Sequence, residues 1–114
     1  MIKKNYKEVK EEIVTKADSK KTTIRWLITK QDGSERYATR RFEIEPGGEI
    51  GLHDHPWEHH IYVLQGNADF VNNEGKVFTA NKDDVIFIPP NEVHSMQNKS
   101  NETFIFLCVI PYLD

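Results

Sequence analysis

The sequence predicts an all-β protein: an antiparallel barrel or sandwich of about eight or nine short strands in a single domain. Three observations predict it. β-Branched and aromatic runs recur at near-regular spacing from Thr23 onward, turn residues separate them, and no segment after residue 22 carries a helical hydrophobic period. The length of 114 residues fits one domain.

Residues 1–22 are polar and rich in Lys and Glu, with Ile2, Tyr6, Val9, Ile13 and Val14 as the larger apolar side chains. A short helix, an extended arm and partial disorder are all compatible with that composition. The first strand is expected at Thr22–Thr29, and Lys30–Ser34 is a turn carrying an Asp-Gly signal. Tyr37–Glu45 alternates with period two. Ala38, Arg40, Phe42 and Ile44 occupy the apolar side, and Tyr37, Thr39, Arg41, Glu43 and Glu45 the other. Pro46-Gly47-Gly48 is expected to break this strand.

His59–Gln65 is the next strand, closed by Gly66-Asn67. Ala68–Val71 leads to a turn at Asn72–Gly75, and Val77–Thr79 is short. Val85–Ile88 is a compact apolar run ended by Pro89-Pro90, and Val93–Gln97 and Thr103–Ile110 complete the set. The last strand is apolar on both faces, which fits either a sandwiched central strand or a subunit interface.

The charge balance is 15 basic against 18 acidic side chains, a formal −3, which argues against a nucleic-acid-binding or anionic-membrane surface. No apolar run reaches transmembrane length. The basic start, Met1–Lys7, lacks the apolar stretch of a signal peptide. The one cysteine, Cys108, has no internal disulfide partner. Together these features lead to the expectation of a soluble protein in the reducing cytoplasm.

Four of the five histidines fall within Gly51–His60: His53, His55, His59 and His60. Imidazole is the commonest transition-metal ligand, and in an extended chain residues two apart share a face. His53, His55 and His59 have one parity and can grip one ion, whereas His60 should point away. Arg40 is a second oddity, because it lies on the apolar parity of its strand. Either it faces inward, or its guanidinium reaches solvent from a strand end.

These residues resemble a known family. Pro46–Gly66, with Gly47, His53, His55, position 59 and Gly66 in register, is similar to the first cupin motif. Asp83–Asn98, with Pro89, His94 and Asn98 in register, is similar to the second. Asp83 and Asn91 stand where that motif has glycines, and Asn tolerates the left-handed backbone such a glycine supplies. Most cupins carry Glu where this chain has His59.

Four histidines, the phrase His53–His59, the closing Phe106–Pro111 run and the overall length resemble one subgroup, the small manganese-binding monocupin of Thermotoga and its relatives. The resemblance implies a cupin-type jelly-roll barrel, placed over residues 23–114, and a homodimer; the polar segment 1–22, which lacks a core of its own, is expected to contribute to that dimer by pairing with a partner's sheet edge. It implies one divalent ion on His53, His55, His59 and His94, octahedral with two open positions. It also places Cys108 near the ion rather than on it. Manganese is the family expectation; iron, nickel, zinc and cobalt are the alternatives, since ligand type alone does not select the metal.

Four neutral imidazoles would leave the ion its full charge and make it a strong Lewis acid for an anionic ligand. Arg40, if inward, would add a fixed positive charge. Phe42, Ile44, Trp57, Ile61, Phe106 and Cys108 are candidates for the cavity wall, although core packing alone would also explain them. The expected partner is a small molecule, besides a second copy of the chain. Three functions compete: a manganese- or iron-dependent oxidoreductase of the dioxygenase type, a non-redox Lewis-acid enzyme acting on an unsaturated uronate or other oxo-acid, and a metal-dependent binding protein without turnover.

Overall fold

A computed structural model describes residues 1–113. Nine strands form one antiparallel sheet rolled into a nearly closed barrel. They are β1 (Glu12–Ile13), β2 (Lys20–Ile28), β3 (Tyr37–His53), β4 (His59–Gln65), β5 (Asn67–Asn72), β6 (Val77–Asn81), β7 (Val85–Ile88), β8 (His94–Gln97) and β9 (Phe104–Pro111). The order around the barrel is β6-β5-β8-β3-β9-β4-β7, with β2 on β3 and β1 on β2.

The period-two pattern decides which side chains fill the interior. Ala38, Arg40, Phe42 and Ile44 of β3 are buried, as are Phe104, Phe106, Cys108 and Ile110 of β9. The two strands pair in register, Arg40 opposite Cys108 and Phe42 opposite Phe106, and the rings of the latter pair stack at 4.9 Å. β9 lies between β3 and β4 in the sheet, with Phe104, Phe106, Cys108 and Ile110 buried and the alternate residues Ile105, Leu107 and Val109 partly buried.

The expected break at Pro46-Gly47-Gly48 does not occur, because tertiary pairing overrides the local breakers. β3 continues to His53 and changes neighbours instead. Its first half pairs with β2 and β9, and its second half with β8. Gly47 takes φ +80 and donates its N–H to the Asn98 carbonyl, while the Asn98 N–H donates to the Gly48 carbonyl. A Cβ on Gly48 would lie 2.8 Å from the Lys20 carbonyl oxygen, so a side chain is excluded there. Buried Asn98 ties the bend down, donating from Nδ2 to the carbonyls of Ile44 and Glu102, each at 2.8 Å.

The first 22 residues hold a 3₁₀ turn at Tyr6–Glu8, strand β1 paired with β2, left-handed backbone at Ala17 and Asp18 (φ 55 and 54) and the start of β2 at Lys20. Among the described residues, no helix is long and apolar enough to cross a membrane.

Candidate metal centre

His53 ends β3, His59 opens β4, His94 opens β8, and His55 lies in the connection between β3 and β4. His53 pairs directly opposite His94 across the β3–β8 ladder. Ligand atoms of His53, His55 and His94 all lie within 4.8 Å of one another, and this triad could hold a metal ion. His59 approaches from the side of His55, with the two Nε2 atoms 2.7 Å apart and its ring 5.3 Å from that of His94. Exposed His60 turns away and meets Phe87 edge-on.

Backbone carbonyls aim three of the rings. His53 Nδ1 donates to the Gly51 carbonyl at 2.8 Å, His55 Nδ1 to that of Trp57 at 2.7 Å, and His94 Nδ1 to that of Glu92 at 2.7 Å. A carbonyl can only accept, so each Nδ1 carries the hydrogen and each Nε2 presents a lone pair. Trp57 also stacks flat on His55, at 4.2 Å and 4°. His59 differs, since its Nδ1 faces Cys108 Sγ at 2.8 Å and Arg40 Nη2 at 3.2 Å.

Burial holds His59 far below the ordinary histidine range, down to about 2, and the Arg40 charge adds to the effect. Burial takes His94 down to about 4 and lowers His55 as well. These rings are therefore neutral at pH 7, the form that binds metals. Two nitrogens on one ion, each at ~2.1 Å and at a right angle, stand ~3.0 Å apart. The His55–His59 spacing is close to that value, and an all-imidazole donor set suits a divalent transition metal.

Arg40 is 8% exposed, so the inward alternative is the observed one. Its guanidinium lies against the rings of Phe42 and Trp26, and no carboxylate pairs with it among the described residues. Nη2 donates to Cys108 Sγ at 3.1 Å. Burial pushes the Cys108 thiol up, with Arg40 opposing.

Beside His53, His55 and His59 lies a cavity of about 110 Å³, the room of roughly four waters. Arg40, Phe42, Trp57, Phe106 and Cys108 line it, whereas Ile44 and Ile61 pack in the surrounding core. Its other walls are Ile50, Met96 and, from the N-terminal arm, Val14, Lys16 and Ala17. Sequence reasoning did not single out these five. Ile50 follows the inward parity of β3, but nothing local marks the arm residues. Three buried side-chain polar atoms lack a partner among the described residues: His94 Nε2, Arg40 Nε and Trp57 Nε1. All three belong to the histidine cluster or to the walls of this cavity.

Residues 40–110 match the cupin domain family. Over 71 residues, 61% of the chain, the sequence is 39% identical to an oxalate-binding protein of Thermotoga maritima, spanning 58% of that protein. A 66-residue stretch is 33% identical to a mannose-1-phosphate guanylyltransferase of Salmonella muenchen, 14% of its length. The chain thus spans less than two thirds of the curated relatives it matches. Among solved structures, the polyketide cyclase RemF of Streptomyces resistomycificus aligns with TM-score 0.92 and 38% identity, covering 97% of this chain and 79% of that one. A Thermotoga maritima protein described as a predicted oxalate decarboxylase aligns with TM-score 0.83 and 29% identity, covering 96% and 97%.

Proposed function

The chain belongs to the cupin family, and on that premise we propose that His53, His55, His59 and His94 hold one divalent transition-metal ion, manganese favoured, at which a small chelating oxo-acid anion binds. One observation carries this reading. The only buried side-chain polar atoms without partners among the described residues gather at the histidine cluster and its cavity. Such atoms are costly to leave unpaired, so their concentration marks where a ligand completes the structure.

When bound, the ion supplies Lewis acidity for a coordinated oxygen. The chain's own residues do the rest. Arg40 presents a fixed, buried positive charge that favours an anion, and the Trp57 indole N–H is a free donor. Phe42 and Phe106 exclude water from one side, and Val14 and Ala17 cover the cavity from the arm. Its volume of about 110 Å³ suits a compact acid rather than an extended one. The name of the Thermotoga maritima oxalate-binding protein supports a small dicarboxylate.

A non-redox reaction, or binding without turnover, fits the names of these relatives better than the oxidoreductase expectation does. The test is calorimetric titration of the metal-loaded protein with oxalate, followed by oxygen-electrode assays with manganese, iron and zinc forms. Oxalate binding that requires metal supports the proposal, and its absence opposes it. Oxygen uptake confined to the manganese or iron form would restore the dioxygenase reading.

A homodimer belongs to the same proposal. Tyr62 of β4 and Val85 and Phe87 of β7 expose apolar surface on one outer sheet face. Sedimentation at micromolar concentration is expected to give twice the chain mass.

A further inference from the structure

We propose that Lys16 of the N-terminal arm is a ligand-binding residue that selects compact dianions, its ammonium closing on the second charge of an acid held in the cavity. The proposal rests on the oxo-acid reading above. Val14, Lys16 and Ala17 bring the arm into the wall of the cavity of about 110 Å³, and Arg40 is the other cation there. No Asp or Glu lines it. Arg40 is buried and Lys16 is exposed, so one positive charge stands at depth and the other at the rim.

Lys16 differs from Lys4 and Lys20, which pair with Asp32 and Glu49. Among the described residues, no carboxylate lies within ion-pair distance of Lys16. Its backbone is held firmly. Next to it Ala17 and Asp18 adopt φ 55 and 54, left-handed values that are unfavourable for residues with a Cβ. The Ser19 N–H and hydroxyl both donate to the Lys16 carbonyl, and the Val14 N–H donates to the Thr22 carbonyl. The Ala17 carbonyl packs so close to Gly51 that a Cβ there would overlap it. A strained turn persists only where its surroundings hold it, and this one keeps the Lys16 backbone at the cavity edge. A flexible four-carbon stem then carries the charge.

The charge of the wall decides which acid fits. Room for roughly four waters admits only a short-chain acid. A monoanion of that size is matched by Arg40 alone. A dianion of the same size brings a further charge, and Lys16 is the side chain placed to meet it. A charge-assisted contact at a partly desolvated rim is stronger than one in open water, yet weaker than a fully buried one. The ligand in turn ties residues 14–17 to the barrel, so binding should slow hydrogen exchange in that stretch.

Calorimetry of the manganese-loaded protein tests this with oxalate, a dianion, and glycolate, a monoanion of similar size. The wild type is compared with Lys16→Met and Lys16→Arg. Met is expected to weaken oxalate by about 5-fold and glycolate by less than about 2-fold, and Arg to stay within about 2-fold of wild type for both. Hydrogen exchange at Val14–Ala17 should slow when oxalate is added to the wild type, and not when it is added to Lys16→Met. Equal losses for the two acids in Lys16→Met, or no loss for either, overturn the role of Lys16 while leaving the oxo-acid reading intact. A loaded wild type that binds neither acid overturns both.

Discussion

The Nε2 atoms of His55 and His59 stand 2.7 Å apart, and both side chains line the same cavity. Two nitrogens at that spacing can ligate one ion. Replacing His59 by Ala should weaken manganese or zinc binding more than about 100-fold, since loss of a ligand exceeds the 10–100-fold typical of an outer partner. His60→Ala, on the exposed side of the same strand, should change affinity less than about 2-fold. Competition against a chelating dye reads both.

The depressed histidines give acid sensitivity of known sign. In the unfolded chain His59 and His94 titrate near ~6.5. In the folded protein burial holds them to about 2 and about 4. Below the unfolded value the unfolded state binds more protons, so stability falls with acidification. Each contributes at most about 1.4 kcal/mol per pH unit, from ~6.5 down to its folded value. Urea denaturation of chelator-treated protein should therefore show falling stability from pH 6.5 toward 4, with these residues adding no slope above 6.5. A flat profile across that window would contradict the neutral, buried assignment.

Arg40 carries a buried charge with no acidic partner among the described residues, which predicts opposite effects on stability and binding. Arg40→Met removes a cation whose burial carries a desolvation penalty, and Met keeps an apolar stem in the same space. The melting temperature of the ligand-free variant should hold or rise. Its affinity for oxalate in the metal-loaded form should fall about 10-fold or more, because a charge-assisted donor is gone. A variant that melts early yet binds oxalate normally would make Arg40 purely structural.

The arm over the cavity is held by a close approach. A Cβ on Gly51 would overlap the Ala17 carbonyl oxygen, and Ala17 itself sits at φ 55. Gly51→Ala should displace residues 14–17, destabilise by roughly 1–3 kcal/mol and speed hydrogen exchange there. Unchanged exchange at Val14–Ala17 would show that the arm does not depend on that contact.

Much of the barrel could be read from single residues. The parity that put Arg40 inside with Ala38, Phe42 and Ile44 is the parity the structure has, because alternation is intrinsic to an extended chain. Asp83 and Asn91, where the second cupin motif has glycine, adopt φ 72 and φ 65, so the backbone of the motif survives the loss of its glycines. The passage of β3 through Pro46–Gly48 was not legible, since local breakers were overruled by pairing with β8. Nor was the arm's place over the cavity, because Ala17 meets Gly51 through tertiary packing alone. The contact of His59 with Cys108 needed the register of β4 against β9, which no local pattern encodes.

Four-histidine ligation is tested most directly by X-ray absorption of the manganese-loaded protein, with metal content measured on the same sample. One ion per chain with four imidazole nitrogens, falling to three in His59→Ala, is the expected result. No bound ion, or a coordination shell unchanged by that substitution, would contradict it.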